Sequence, residues 1–192
     1  IQAFEYIIDR GNNNPFYLKA RTGLLKTKFE KITRSASKSE KELKKLDKEY
    51  ISSLDEIGRN ASTVRLMRDH AHLLAFYLDK LEEATGILNE AIETRGAAPP
   101  DVALCKLELG DIYLFQDLVW EATLLYSQVD KAFKNDPLGH EAKLRNAKLY
   151  YYIGEFEWAK TQLDILKAAT SKLIANDALE LSLIIQDNTN YD

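Results

Sequence analysis

Cysteine is nearly missing from this chain of 192 residues. Cys105 stands alone, so no disulfide can close within the chain and the fold does not depend on an oxidising compartment. There are only four prolines. No apolar run approaches the roughly 20 residues needed to cross a bilayer, because charge interrupts the longest candidates every few positions. No membrane span is expected. Strand-like alternation is missing too. Chemistry is as scarce: no Gly-rich phosphate loop, no GxSxG elbow and no paired-histidine helix motif occurs. His70 and His72 stand two apart on a helix and point about 200° apart, so they cannot grip one metal ion, and His140 lies in a different part of the chain. Cys105, within ALCKLEL, reads as a small buried thiol. The acidic pairs Glu82 with Glu83 and Glu40 with Glu42 fall on helix faces expected to be solvated. No catalytic residue, metal or cofactor is expected, and the chain is not expected to be an enzyme.

Charge is mild overall, −4, and unevenly spread. Residues 19–48 hold eleven Lys and Arg against Glu30, Glu40, Glu42 and Asp47, about +7, which leaves the remainder near −11. A basic stretch can attract nucleic acid or anionic lipid. Within KSEKELKKLDKEY, however, Leu43, Leu46 and Tyr50 recur at three and four while opposite charges alternate beside them, the pattern of a solvated helix with one apolar stripe. Nucleic acid is not an expected partner. The first residue is Ile1, and IQAFEYIIDR reads as the later part of a helix, so the chain is expected to be a fragment of a longer one.

What is present is helical period from end to end. RGNNNP closes a first short helix, a second runs from Phe16 to about Arg34, and a third follows SASKS to about Ile57. After GRNAST come VRLMRDHAHLLAFYL, LEEATGILNEAIETR, the loop GAAPPD, VALCKLELGDIYLFQ, LVWEATLLYSQVDKAF, the loop KNDPLG, HEAKLRNAKLYYYI, EFEWAKTQLDILKA and a segment near DALELSLII. These read as helices in pairs.

Internal repetition is the strongest signal. Ala84, Ala122 and Ala159, 38 and 37 residues apart, each lie a few residues into the second helix of a pair. Twelve residues earlier stand His72, Gly110 and Ala147, and nine earlier Ala75, Tyr113 and Tyr150. Four later stand Leu88, Tyr126 and Leu163, and seven later Ala91, Val129 and Leu166. Two antiparallel helices need one place of close approach, supplied by small residues, and the larger apolar residues around it must be covered by the next pair. Trp120 and Trp158 are expected to pack in the core or between pairs.

The succession Ala147, Tyr150, Gly154, Phe156, Ala159, Leu163, Leu166 resembles the tetratricopeptide repeat (TPR) family. The resemblance implies an all-α fold, a TPR-like right-handed helical-hairpin solenoid. Repeats would cover about 62–98, 99–137 and 138–173, with a partial one at 174–192; residues 1–61 would be the end of a preceding repeat plus a long basic helical hairpin. Lys106 and Lys143 stand where the family usually has Trp, His72 replaces a small residue, Asp79 and Asp117 replace the turn glycine, and the interval exceeds the usual 34. A run of this kind also resembles long multi-repeat proteins of the bacterial cell envelope, which would place the chain in the periplasm or envelope, with the cytoplasm left open.

The family's first helices line a concave groove. Carried across residue by residue, the groove would present Asp69, Leu73, Phe76 and Tyr77, then Leu107, Asp111, Leu114 and Phe115, then Leu144, Lys148, Tyr151 and Tyr152. The resemblance implies a scaffold binding a protein or peptide there, with homo-oligomerisation open. Two alternatives stand beside it: a regulatory or substrate-presenting module of a larger protein, and a spacer whose groove aromatics pack on the chain's own basic arm. The clustered Lys, Arg and Asn that would clamp a peptide's terminal carboxylate are missing.

Overall fold

The structure is a computed structural model, and it describes residues 1–35, 39–167 and 172–189. Among these residues it is all-helical, with ten helices and no strand. The SASKS loop falls in part, at 36–38, outside the described residues, as does the end of the third repeat at 168–171.

Two compact units divide the chain between Cys105 and Lys106. The first holds α1 (Gln2–Ile8), α2 (Tyr17–Arg34), α3 (Glu40–Ile57), α4 (Val64–Tyr77), α5 (Leu81–Glu93) and the opening of α6 (Pro99–Phe115). Within it each of the first four helices packs on the next. Ser39 caps α3, its hydroxyl accepting from the Glu42 backbone N–H, and Thr63 ties the turn before α4 by donating to the Gly58 carbonyl at 2.9 Å. The apolar stripe of α3, Leu43, Leu46, Tyr50 and Leu54, is buried, as its spacing requires, and it packs toward α4, where Leu66, Met67, Ala71 and Leu74 are buried.

The second unit holds the rest of α6, then α7 (Val119–Ala132), α8 (Pro137–Tyr152), α9 (Phe156–Leu166) and α10 (Lys172–Thr189). Here α8 packs on α7, on α9 and also on α10, so one helix serves both its own pair and the next. Leu144, Ala147, Ala159, Leu163, Leu166, Ile174, Ala178 and Ile185 form the core that α8, α9 and α10 share. Both α6 and α8 start earlier than their apolar pattern implies, at Pro99 and Pro137, because the fixed φ of proline suits the first helical turn, where no N–H bond is needed. The last helix also starts earlier than its apolar run, at Lys172.

Three turns are built alike. After α4, α6 and α8 the chain passes through one left-handed residue, Asp79 (φ 55°), Asp117 (φ 60°) or Gly154 (φ 81°), each five residues before Ala84, Ala122 or Ala159. The next residue, Lys80, Leu118 or Glu155, has ψ of 60°, 67° or 62°, and the helix then begins. In the later two turns the bonds close identically: Leu118 N–H donates to Tyr113 O at 2.8 Å and Glu155 N–H to Tyr150 O at 2.9 Å. Lys80 N–H reaches one carbonyl further, to Leu74 at 2.9 Å, so the first turn is wider by a residue. Aspartate tolerates the left-handed region better than most side chains, which lets Asp79 and Asp117 stand where glycine would be easiest.

Ala84, Ala122 and Ala159 are all fully buried. At Gly110 the close approach is to an aromatic ring: a Cβ there would lie 2.5 Å from Cε1 of Tyr126, four residues beyond Ala122. Gly86, on α5, is exposed and has nothing within 4 Å of where a Cβ would sit. Gly110→Ala is therefore expected to lower stability by about 1–3 kcal/mol through overpacking, whereas Gly86→Ala raises it by about 0.5–1 kcal/mol through helix propensity. Urea unfolding followed by helical circular dichroism measures both; shifts of the same sign would contradict the close-approach account.

Candidate functional site

The twelve groove positions form four columns, each at one distance from the buried alanines, and the columns differ in fate. Fifteen residues before the alanine stand Asp69, Leu107 and Leu144. Leu107 and Leu144 are buried in the core and offer nothing to a partner; Asp69 is half-buried and bound by the neighbouring Arg68 at 2.6 Å. Eleven before stand Leu73, Asp111 and Lys148: Leu73 is fully buried, Asp111 is engaged internally and Lys148 is exposed. Eight before, Phe76, Leu114 and Tyr151 are all half-buried. Seven before, the column opens along the chain, from half-buried Tyr77 to Phe115 at 63% exposure and Tyr152 at 72%.

Asp111 is the hub of a network. Its Oδ1 accepts from the Tyr126 hydroxyl at 2.6 Å and its Oδ2 from Arg145 Nη1 at 2.5 Å, while Arg145 Nε donates to Glu141 at 2.9 Å. Burial pushes the Asp111 carboxyl up from its ordinary value, opposed by the Arg145 charge and the tyrosine hydrogen bond; burial and the carboxylate together push the Tyr126 hydroxyl up as well. The network joins α6, α7 and α8, so the charge read as surface in the sequence is a tie between helices.

In the first unit, Tyr77 meets Phe29 of α2 edge-on, with ring centroids 5.0 Å apart and planes at 84°. His72 lies against both rings, 5.7 Å from Phe29 and 5.8 Å from Tyr77. The basic arm thus covers the Tyr77 position. In the second unit, α8 and α10 leave a cleft of about 360 Å³ lined by Lys148, Tyr151, Tyr152, Asp177, Glu180, Leu181 and Ile184. Tyr151 is held by its neighbours, 5.6 Å from the Tyr152 ring and 5.8 Å from Phe156, and Lys148 faces Asp177 at 3.8 Å.

The tryptophans correct the sequence reading. Trp120 is 78% exposed and Trp158 60% exposed; neither is core. Their register held the signal: Trp120 stands two before Ala122, matching Glu82 and Glu157, and Trp158 stands one before Ala159, matching Glu83 and Glu121, all of them exposed. Cys105 is fully buried, its sulfur 4.0 Å from the Val64 carbonyl, as expected of a small core thiol. Among the described residues no three His, Cys, Asp or Glu side chains are grouped to hold a metal ion, and no helix is long and apolar enough to cross a membrane.

One buried polar pair escaped the sequence reading altogether. His70 Nε2 lies 2.6 Å from Asp47 Oδ1, its ring stacks on Tyr50 at 5.3 Å with planes 8° apart, and Lys80 Nζ is 3.4 Å from Asp47 Oδ2. The pair links α3 to α4. No protein-family model and no curated protein sequence matches the chain.

Burial holds His70 below the ordinary histidine value of 6.5, more strongly than the Asp47 hydrogen bond and charge raise it; the Arg59 and Lys80 charges lower it further. A histidine so shifted binds fewer protons folded than unfolded, so its stabilising contribution is present above the unfolded value and is lost as pH falls through the folded one. Between about pH 7.5 and about pH 5.5, the wild-type chain is expected to lose more stability than His70→Gln. Urea unfolding at the two pH values measures this; equal losses would show that His70 does not carry the dependence.

Proposed function

We propose that this chain is a non-enzymatic, TPR-like interaction scaffold that binds a protein or peptide along its first helices, with the working surface on α6 and α8. One observation carries the reading: the column seven residues before the buried alanines leaves two large rings, Phe115 and Tyr152, largely in solvent on helices whose other faces are core. Aromatic rings anchor interfaces well because they bury much area while few rotors are frozen. The alike turns at Asp79, Asp117 and Gly154 support the repeat architecture, and the packing of α8 on both α9 and α10 is what stacked hairpins require. A right-handed solenoid is the arrangement this reading assumes.

A second reading has its own support. Tyr77 is covered by Phe29, so at one position of the column the chain fills its own groove. On this reading the first unit covers its own ring at that position, and the second leaves its rings open.

The two readings separate on the double variant Phe115→Ala with Tyr152→Ala. A partner found by photo-crosslinking at Tyr152 and then purified is expected to bind the variant at least about tenfold more weakly, while the unfolding free energy changes by less than about 0.5 kcal/mol, as for exposed sites. A clear loss of stability with unchanged binding would assign these rings to packing instead.

A further inference from the structure

The Tyr152 position beside the α8–α10 cleft has a counterpart in the same chain, and there the ring is covered. Tyr77 and Tyr152 hold the same place, seven residues before Ala84 and Ala159. Tyr77 is met edge-on by Phe29, and Phe29 belongs to a basic helix: residues 17–34 carry six Lys and Arg against one Glu. Tyr152 stands 72% exposed beside a cleft of about 360 Å³ whose apolar wall is Leu181 and Ile184.

Charge completes the likeness. Two carboxylates, Asp177 and Glu180, face one ammonium, Lys148, across this cleft. The Lys148–Asp177 separation of 3.8 Å is long and both side chains are about half exposed, so that pair is loose, and Glu180 makes no ion pair among the described residues. A cationic side chain entering here gains the free carboxylate and the face of an exposed tyrosine, while an acidic one meets like charge.

We propose that the α8–α10 cleft accepts a basic amphipathic helix bearing an aromatic residue, with that ring against Tyr152 and its Lys or Arg side chains against Glu180 and Asp177. The inference rests on the reading of this surface as partner-binding and adds the chemistry of the partner.

The probe is a fluorescein-labelled peptide with the sequence of residues 17–34, titrated with the full chain and followed by anisotropy. Saturable binding is expected, weakening with added salt. Tyr152→Ala should weaken it roughly tenfold, Glu180→Lys roughly fivefold, and the same peptide with Glu for every Lys and Arg should not bind. If the acidic peptide binds as well as the basic one and Tyr152→Ala weakens both, the surface stands and the basic-helix inference falls. If neither variant changes binding, the peptide sits elsewhere and the inference falls without touching the scaffold reading, which the crosslinked partner decides. If the chain self-associates and Tyr152→Ala abolishes that, a second copy fills the cleft and the inference is overturned.

Discussion

The close approach of two helices at a small side chain, repeated at a near-constant interval, is the constraint on which the rest of this structure depends. Antiparallel helices approach most closely where side chains are small: Ala84, Ala122 and Ala159 are fully buried, and Gly110 makes room for the Tyr126 ring. The turn geometry follows from the same requirement. Five residues before each alanine the chain must reverse within two residues, and it does so through a left-handed Asp79, Asp117 or Gly154. Once turn and contact are fixed, the residues at four and seven past each alanine fall into the core, and what lies seven before falls on an outer face.

Equivalent positions need not have equivalent fates. Tyr77, Phe115 and Tyr152 occupy one register column, yet the first is covered by Phe29 and the third is largely in solvent. The difference lies in what stands opposite. The basic hairpin of α2 and α3 lies within the first unit, its own core of Leu24, Leu25, Leu43 and Leu46 holding it there, and it brings Phe29 over the column. A ring of tyrosine size left exposed forgoes roughly 1.5–3 kcal/mol of burial, which a partner helix can recover. The column eleven before the alanine splits for a similar reason: Asp111 is drawn into the Tyr126 and Arg145 network, whereas Lys148 faces Asp177 at 3.8 Å.

Much of this was legible in the residues because it is local. Helical period and the turn residues at Gly11, Gly58 and Gly154 located the helices, and the small-residue interval located the pairs. Pro99 and Pro137 open helices rather than lying in loops, a use of proline that apolar period alone does not reveal. Trp120 and Trp158 were misplaced because residue type outweighed register, although the acidic residues at the same register marked those faces as wet. The Asp47–His70 pair was beyond reach for a different reason. Its members are 23 residues apart on separate helices, and only the packing of α3 on α4 brings them together. Leu73, Leu107 and Leu144, read as groove, are core, since a helix stripe that serves a partner on one side serves the next hairpin on the other.

The interval itself can be tested by removing one unit of it. Deleting residues 118–154 joins Asp117 to Glu155, so α6 runs through its left-handed residue directly into α9 and Gly110 comes opposite the hairpin of Ala159. If spacing and small-residue contact govern the fold, the shortened chain keeps its helical circular dichroism and melts cooperatively, although less stably for the loss of the Asp111 network. A chain that loses its helicity or melts without a transition would contradict the account, because helices held by contacts particular to one compact globule cannot survive the loss of two of their number.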